Sequence, residues 1–367
     1  MTALRPTPVR QALDAIDPDL GAFVTVDADR ALAAARDARP GRLQGLTIGV
    51  KDLIEVQGMR TTYGSARYHD HTSDRTAPAV SSLLDQGAVV IGKTNLNEFA
   101  FGVSGFNPTF GPVLCPDDRT RTAGGSSGGS AVAVAVGSCD VALGTDTSGS
   151  VRIPAACTDV WGLKLAPGPS LSGIWPLAPS FDSLGFLAKE PGFIEMVVGL
   201  PAEGVVDAAS VRVAHLGHDL VLPPLPVEHW VRFRHEAWAV HRTAFTSDPE
   251  FHGRDVRAKL ARPRGDLRSA ERAMSAWRAV YIDALRRVDV LVDTVFDGPA
   301  PLLESVRRDY AEDTSVESDR LLEKTPIANA LGWPALAFPT PRGPRQVMGP
   351  PGTEAALFAV ARRLARA

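Results

Sequence analysis

The stretch R-T-A-G-G-S-S-G-G-S at residues 121–130 restricts this chain more than any other part of it. Four glycines and three serines in ten residues suit neither helix nor strand, because glycine gives up the most backbone freedom on ordering. The stretch runs directly into A-V-A-V-A-V at 131–136, whose unbroken apolar character predicts a buried helix ending at Gly137.

Patterns on either side of this loop alternate between strand and helix. L-T-I-G-V at 46–50 predicts a buried strand that delivers Lys51 and Asp52 at its carboxyl end. Residues 76–86 suit a helix, A-V-V-I at 88–91 a second strand, and 141–143 a third. The alternation predicts an α/β fold, three layers (α/β/α) around a mixed sheet. Residues 1 to about 40 read as helical and surface-like, and 150–190 as an ordered, loop-rich surface. Beyond residue 190 the signals weaken, with a strand candidate at 288–292 and a terminal amphipathic helix at 354–367. Residues 254–287 are charged and helix-favouring with arginine-rich faces. A solvated helix surface is the expectation there, and an anion-binding patch is the alternative. Length suggests two domains, but no linker or repeat interrupts the 367 residues, and one domain spanning 1–367 is expected.

Composition removes several function classes. The net charge of −3 gives no electrostatic case for a nucleic-acid binder. No apolar run approaches the roughly 18 residues of a membrane span, and the N-terminus shows no secretory signal. The cysteines, Cys115, Cys139 and Cys157, are odd in number and lack metal-site spacing. They read as small buried hydrophobes in a reducing cytoplasm.

Three chemistries compete for the glycine-serine loop. A phosphate-binding P-loop requires a Lys after its glycines, and none follows. A nucleophile elbow is matched loosely at Ser126 and Ser127. Its confirming strand is missing, because P-D-D-R-T-R at 116–121 is polar. Such an elbow also needs a histidine, and His215, His218, His229, His235, His241 and His252 lie in no recognisable motif. The third reading joins Lys51, Ser126 and Ser150. A lysine serves as a base once burial brings its pKa from about 10.4 toward 7 or 8, whereas arginine stays protonated. In a chain with only six lysines against more than five times as many arginines, a lysine at the end of an apolar strand is informative. Pairing with Asp52 or capping a loop is the equal alternative. In T-D-T-S-G-S at 145–150, small residues let successive backbone N–H groups converge as an oxyanion hole requires.

Together these segments resemble the amidase signature family of serine hydrolases. The resemblance rests on G-V-K-D at 49–52, G-K-T-N-L-N-E-F-A at 92–100, G-G-S-S-G-G-S at 124–130 and G-T-D-T-S-G-S-V-R-I-P-A at 144–155. W-G-L-K at 161–164 and S-F-D-S-L-G at 180–185 continue it, with a weaker echo in T-P-I-A-N-A-L-G-W-P-A-L at 325–336. It implies a Ser-cisSer-Lys triad, with Ser150 as nucleophile, Ser126 as the bridging serine after a cis peptide bond, and Lys51 as base. Ser127 then supports Lys51, the backbone amides of Thr147, Ser148, Gly149 and Ser150 form the oxyanion hole, and Asp146 and Arg152 brace the loop. The implied reaction is two-step acyl transfer from a small amide, with neither metal nor organic cofactor. A glutaminase component of a tRNA-dependent amidotransferase shares these motifs, and a non-catalytic amidase-like binder is the alternative from another class. The expected partner is a small-molecule amide, with no nucleic acid and no membrane, and a homodimer is left open.

The motif core covers about 40–190, while the half from about 190 to 367 is short for the family. That half also lacks the family's usual pocket-walling segments, reading V-D-V-L-V-D-T-V-F-D-G-P and P-R-Q-V-M-G-P-P-G instead. Phe99, Phe101, Phe106, Trp175 and Phe181 flank the motifs and are the pocket candidates, with core or loop packing as the alternative for each.

Overall fold

The computed structural model describes residues 4–37, 40–168, 171–200, 205–248 and 250–366. Short apolar runs bounded by glycine, proline or charge become the strands. They are β1 (Phe23–Val26), β2 (Thr47–Lys51), β3 (Val89–Thr94), β4 (Phe106–Asn107), β5 (Gly111–Pro112) and β6 (Val141–Thr145). The remainder are β7 (Trp161–Lys164), β8 (Leu184–Ala188), β9 (Val213–His215), β10 (Val290–Thr294), β11 (Ala335–Phe338) and β12 (Arg345–Met348). β4 and β5 pair only with each other. The other strands form one 10-stranded sheet in the order β1-β3-β2-β6-β8-β7-β11-β12-β10-β9. β2 lies parallel to both β3 and β6, with Val50 opposite Lys93 on one side and Leu143 on the other. From β6 through β10 every pairing is antiparallel, and β9 joins β10 in parallel.

Alternation along each strand sends side chains into two cores. Val141 and Leu143 of β6 join Ile48, Val50, Leu163 and Phe186 on one face. The helix Pro191–Val198 and the C-terminal helix Glu354–Ala365 cover that face. Ala142 and Leu187 face the opposite core, beneath the helices Ala28–Arg36, Gly128–Ala135 and Arg152–Cys157. This is the expected α/β/α arrangement, and strands from both halves of the chain build its sheet.

Several local expectations are corrected. The first 40 residues are not only helical, because β1 separates the helices Val9–Asp14 and Ala28–Arg36. Residues 150–190 also contain the largely buried helix Arg152–Cys157 and strands β7 and β8, while the connection between the two strands carries the exposed Pro167, Gly168, Pro176 and Pro179 of the expected loop-rich surface. The 254–287 segment is two helices, Arg254–Ala261 and Leu267–Ala284, interrupted at the R-P-R-G sequence of 262–265. Pro263 removes a backbone donor there and disfavours helix at Arg262. The glycine-serine loop is irregular up to Ser127, and its last three residues open the helix Gly128–Ala135. Gly129 in that first turn lies against backbone atoms of Ala22 and Asn95, which leaves no room for a Cβ.

The helix His229–Ser247 packs on both Arg254–Ala261 and Leu267–Ala284. Phe233, Ala237, Val256 and Leu260 of this wall meet Phe101, Leu177 and Phe181, which belong to the loops that follow β3 and precede β8. The wall thereby closes one side of the space over the ends of β2 and β6.

Candidate active site

The parallel strands β2 and β6 end side by side, which sets Lys51 next to Thr145. In open α/β sheets the carboxyl ends of parallel strands are where ligands bind. Lys51 is fully buried, and its Nζ lies 2.7 Å from Ser126 Oγ, 2.9 Å from Ser127 Oγ and 2.9 Å from Thr145 Oγ1. Burial pushes its pKa down to about 7, against the pull of the Asp146 and Asp182 carboxylates. Pairing with Asp52 does not occur. Asp52 is bound by the neighbouring buried Lys93, whose Nζ lies 3.1 Å from Oδ1 and also donates to Thr61 Oγ1.

The peptide bond between Gly125 and Ser126 is cis, as the resemblance implied. Ser127 N–H donates to the carbonyl of Ser150 at 3.1 Å and so docks the two serine loops together. Ser150 is itself a wall residue of a cavity of about 240 Å³. None of the six histidines weighed for an elbow hydrogen-bonds to Ser126, Ser127 or Ser150 among the described residues. His229, His241 and His252 are instead buried, and desolvation lowers them to about 3, 3 and 4.

Asp146 organises the loop that carries Ser150. Its carboxylate accepts from the backbone N–H of Gly149 at 2.8 Å and of Val151 at 3.1 Å, and from Arg152 Nε and Nη2 at 3.1 and 3.0 Å. Burial alone would raise this carboxyl. The Arg152 guanidinium, with Lys164 and Asn329, outweighs burial and holds it well below the usual carboxylate range. Arg152 is fully buried and also donates to Thr325 O, Gln346 Oε1 and Asn329 Oδ1, each at 2.7 Å. The bracing expected of Asp146 and Arg152 thus reaches across the chain to residues 325–346. Asp182, in S-F-D-S-L-G, accepts from Thr147 Oγ1 at 2.7 Å and from the amides of Leu177 and Ala178.

These bonds change the expected oxyanion donors. Gly149 N–H is committed to Asp146, so it is not free to serve an oxyanion. Among the described residues the amides of Thr147, Ser148 and Ser150 have no acceptor. Gly149 matters for another reason. Its φ is 128°, and a Cβ would collide with the Thr325 side chain.

The aromatic candidates separate. Phe101 lines the cavity beside Ser150, together with Leu177 and Phe233. Trp175 lines a second cavity of about 190 Å³ that shares Ala100, Thr147 and Leu177 with the first and reaches Thr145 and Asp182. Phe99 and Phe181 are corrections, since both are core residues. Phe99 packs against Trp175, His241 and Phe251, and Phe181 lies 4.6 Å from His229. Phe106 borders a small cleft beside Tyr310 rather than the Ser150 cavity. Sequence reasoning missed Thr145 as a third hydroxyl on Lys51, although it lies inside the G-T-D-T-S-G-S motif. It also missed Thr325, whose hydroxyl donates to Ser148 O at 2.7 Å.

The Amidase family matches residues 8–191 of this chain. The chain belongs to the amidase family. A crystal structure described only as an amidase superposes with a TM-score of 0.83 at 31% identity, over 98% of this chain and 96% of the other. A glutamyl-tRNA(Gln) amidotransferase subunit of Chlorobium phaeobacteroides is 45% identical over 189 residues, 49% of this chain and 40% of that protein. The subunit of the same name from Anaeromyxobacter sp. is 44% identical over 216 residues, 56% and 41% of the two chains. These matches therefore span about two fifths of the curated relatives' length. The 6-aminohexanoate cyclic dimer hydrolase, at 20% identity and a TM-score of 0.79, shares the fold. No helix among the described residues of this amidase-family chain is long and apolar enough to cross a membrane.

Proposed function

We propose that the protein hydrolyses a small primary carboxamide by acyl transfer through Ser150, Ser126 and Lys51. The observation that carries this reading is the buried Lys51 Nζ, brought to about 7 and held among three hydroxyls. Neutral Lys51 has two N–H donors and one lone pair, so among three hydroxyl neighbours it donates to two and accepts from the third. With Ser126 as the third, Ser126 Oγ is free to receive the Ser150 proton while passing its own to Lys51. Ser150 Oγ then forms a bond to the amide carbonyl carbon. The free amides of Thr147, Ser148 and Ser150 supply donors for the oxyanion, each worth about 3–4 kcal/mol in comparable sites.

As the tetrahedral species collapses, the C–N bond breaks and the proton held on Lys51 returns through Ser126 to the leaving nitrogen, which departs as ammonia. Water attacks the acyl-enzyme with the same relay as base, releasing the carboxylate and restoring Ser150. The test is ammonia release from a panel of primary amides, with a fluorophosphonate probe as an active-site titrant. The expected result is release that Ser150→Ala abolishes, with covalent labelling at Ser150. A folded protein that turns over amides yet labels elsewhere contradicts the reading.

A second reading is favoured by the names of the curated relatives. As the corresponding component of a glutamyl-tRNA(Gln) amidotransferase, the chain would release ammonia from an amide donor for a charged tRNA held by partner subunits. In that assembly nucleic acid is a partner, contrary to what net charge suggested. Ammonia release by the isolated chain from simple amides supports the first reading. Release only on adding the other amidotransferase components and the charged tRNA supports the second.

A further inference from the structure

The cavity that exposes Ser150 contains more positive charge than the protein itself neutralises. Arg234, from the helix His229–Ser247, and Arg262, at the end of the helix Arg254–Ala261, both line it, with Lys259 and Asp319. Lys259 is already satisfied. Its Nζ donates to Asp255 Oδ2 at 2.7 Å and to Phe101 O. Asp319 accepts from Ser315 Oγ at 2.9 Å. Arg234 and Arg262 have no side-chain hydrogen bond or ion pair among the described residues, and Arg234 Nε is buried without an acceptor. Partial burial, and then the Arg262 guanidinium, lower the pKa of Arg234, so the two like charges oppose each other across the same space.

Arg262 is exposed and Arg234 half-buried, so water meets part of this charge, but the buried Arg234 Nε is an unmet charged donor that an anionic ligand would satisfy. With Lys259 balanced by Asp255, the two guanidiniums against Asp319 leave a net charge of +1 on the wall, which matches one carboxylate. Phe101, Leu177 and Phe233 line the same cavity as these arginines and Ser150, and give it an apolar surface suited to a short methylene chain.

We infer that the substrate is a primary amide whose acyl chain ends in a carboxylate, held by Arg234 and Arg262 while Ser150 attacks the amide end. The inference rests on the hydrolytic reading for one point only. If ammonia is the leaving group, the anionic group must lie on the acyl side. It also gives Arg262, exposed on the 254–287 segment, the anion-binding role that was the alternative to a merely solvated surface there.

The experiment compares ammonia release from succinamate, glutaramate and adipamate with release from butanamide, pentanamide and hexanamide. At least one carboxylate-bearing amide is expected to exceed its neutral counterpart about tenfold in kcat/KM, as one charge-assisted contact would give. In Arg234→Gln the KM for that substrate rises about tenfold, with a smaller change in kcat, and Arg234→Lys recovers part of the loss. Arg262→Gln moves KM in the same direction. Equal turnover of charged and neutral amides, or an unmoved KM in both glutamine variants, overturns the inference while leaving amide hydrolysis intact. Calorimetric titration of Ser150→Ala with succinate, glutarate and adipate reads the same site without catalysis. Binding that Arg234→Gln removes supports the inference even if no amide is hydrolysed, and absence of binding by all three overturns it.

Discussion

Lys51 and Lys164 end two strands of the same sheet, both are fully buried, and burial brings both to about 7. Their surroundings differ in kind. Lys51 is ringed by the hydroxyls of Ser126, Ser127 and Thr145 at 2.7–2.9 Å, with the Thr145 carbonyl farther off at 3.4 Å. Lys164 donates at 2.9 Å to the backbone carbonyls of Leu165 and Trp333. A carbonyl only accepts, so Lys164 ties the chain together but has no neighbour from which to take a proton. A hydroxyl both donates and accepts, so Lys51 stands at one end of a path along which a proton can move. Desolvation makes the amine available in both regions, and the neighbouring groups decide whether availability becomes chemistry.

The comparison breaks most visibly at the nucleophile and its base. Ser150→Ala and Lys51→Met are each expected to lower amide turnover by about four orders of magnitude or more while leaving a folded protein, as steady-state rates beside circular dichroism would show. Next in size is Asp146→Asn. It leaves the buried Arg152 without its counter-charge, at a cost of about 3–5 kcal/mol in unfolding free energy measured by denaturant titration.

A pH profile sharpens the contrast further. Only neutral Lys51 accepts a proton, so kcat/KM should climb about tenfold per unit as pH rises toward 7 and level off above it. A rate that falls as pH rises through this window would contradict the assignment. The smallest catalytic effect belongs to Lys164→Met. The buried Trp333 carbonyl and the part-buried Leu165 carbonyl lose their donor, costing about 1–3 kcal/mol in stability for the first and less for the second, while labelling of Ser150 per folded molecule stays within about threefold of the parent. Intact-mass measurement of the labelled protein checks this.

The central strands were legible in sequence because their apolar runs are short and end in charge or glycine. β2, β3 and β6 appear where the L-T-I-G-V, A-V-V-I and V-A-L segments predict them. The grouping of Lys51 with Ser126 and Ser127 was legible through the resemblance of their motifs to the amidase signature family, since Ser126 lies in irregular chain before the helix Gly128–Ala135. What lay beyond reach was set by long-range contacts. The clamp of Arg152 on Thr325, Asn329 and Gln346 joins residues more than 170 positions apart, and no local pattern encodes such a bond. Phe99 and Phe181 were misplaced because nearness to a motif does not say which way a ring points. Gly149 was misplaced because its amide had a competing acceptor three residues earlier.

The central claim is that Lys51 is an uncharged base near neutral pH, and it is tested most directly by titrating lysine labelled with carbon-13 at Cε. The resonance lost in Lys51→Met but kept in Lys164→Met belongs to Lys51. A midpoint near 7 is the result predicted here, and a midpoint near the ordinary 10.5 would contradict it.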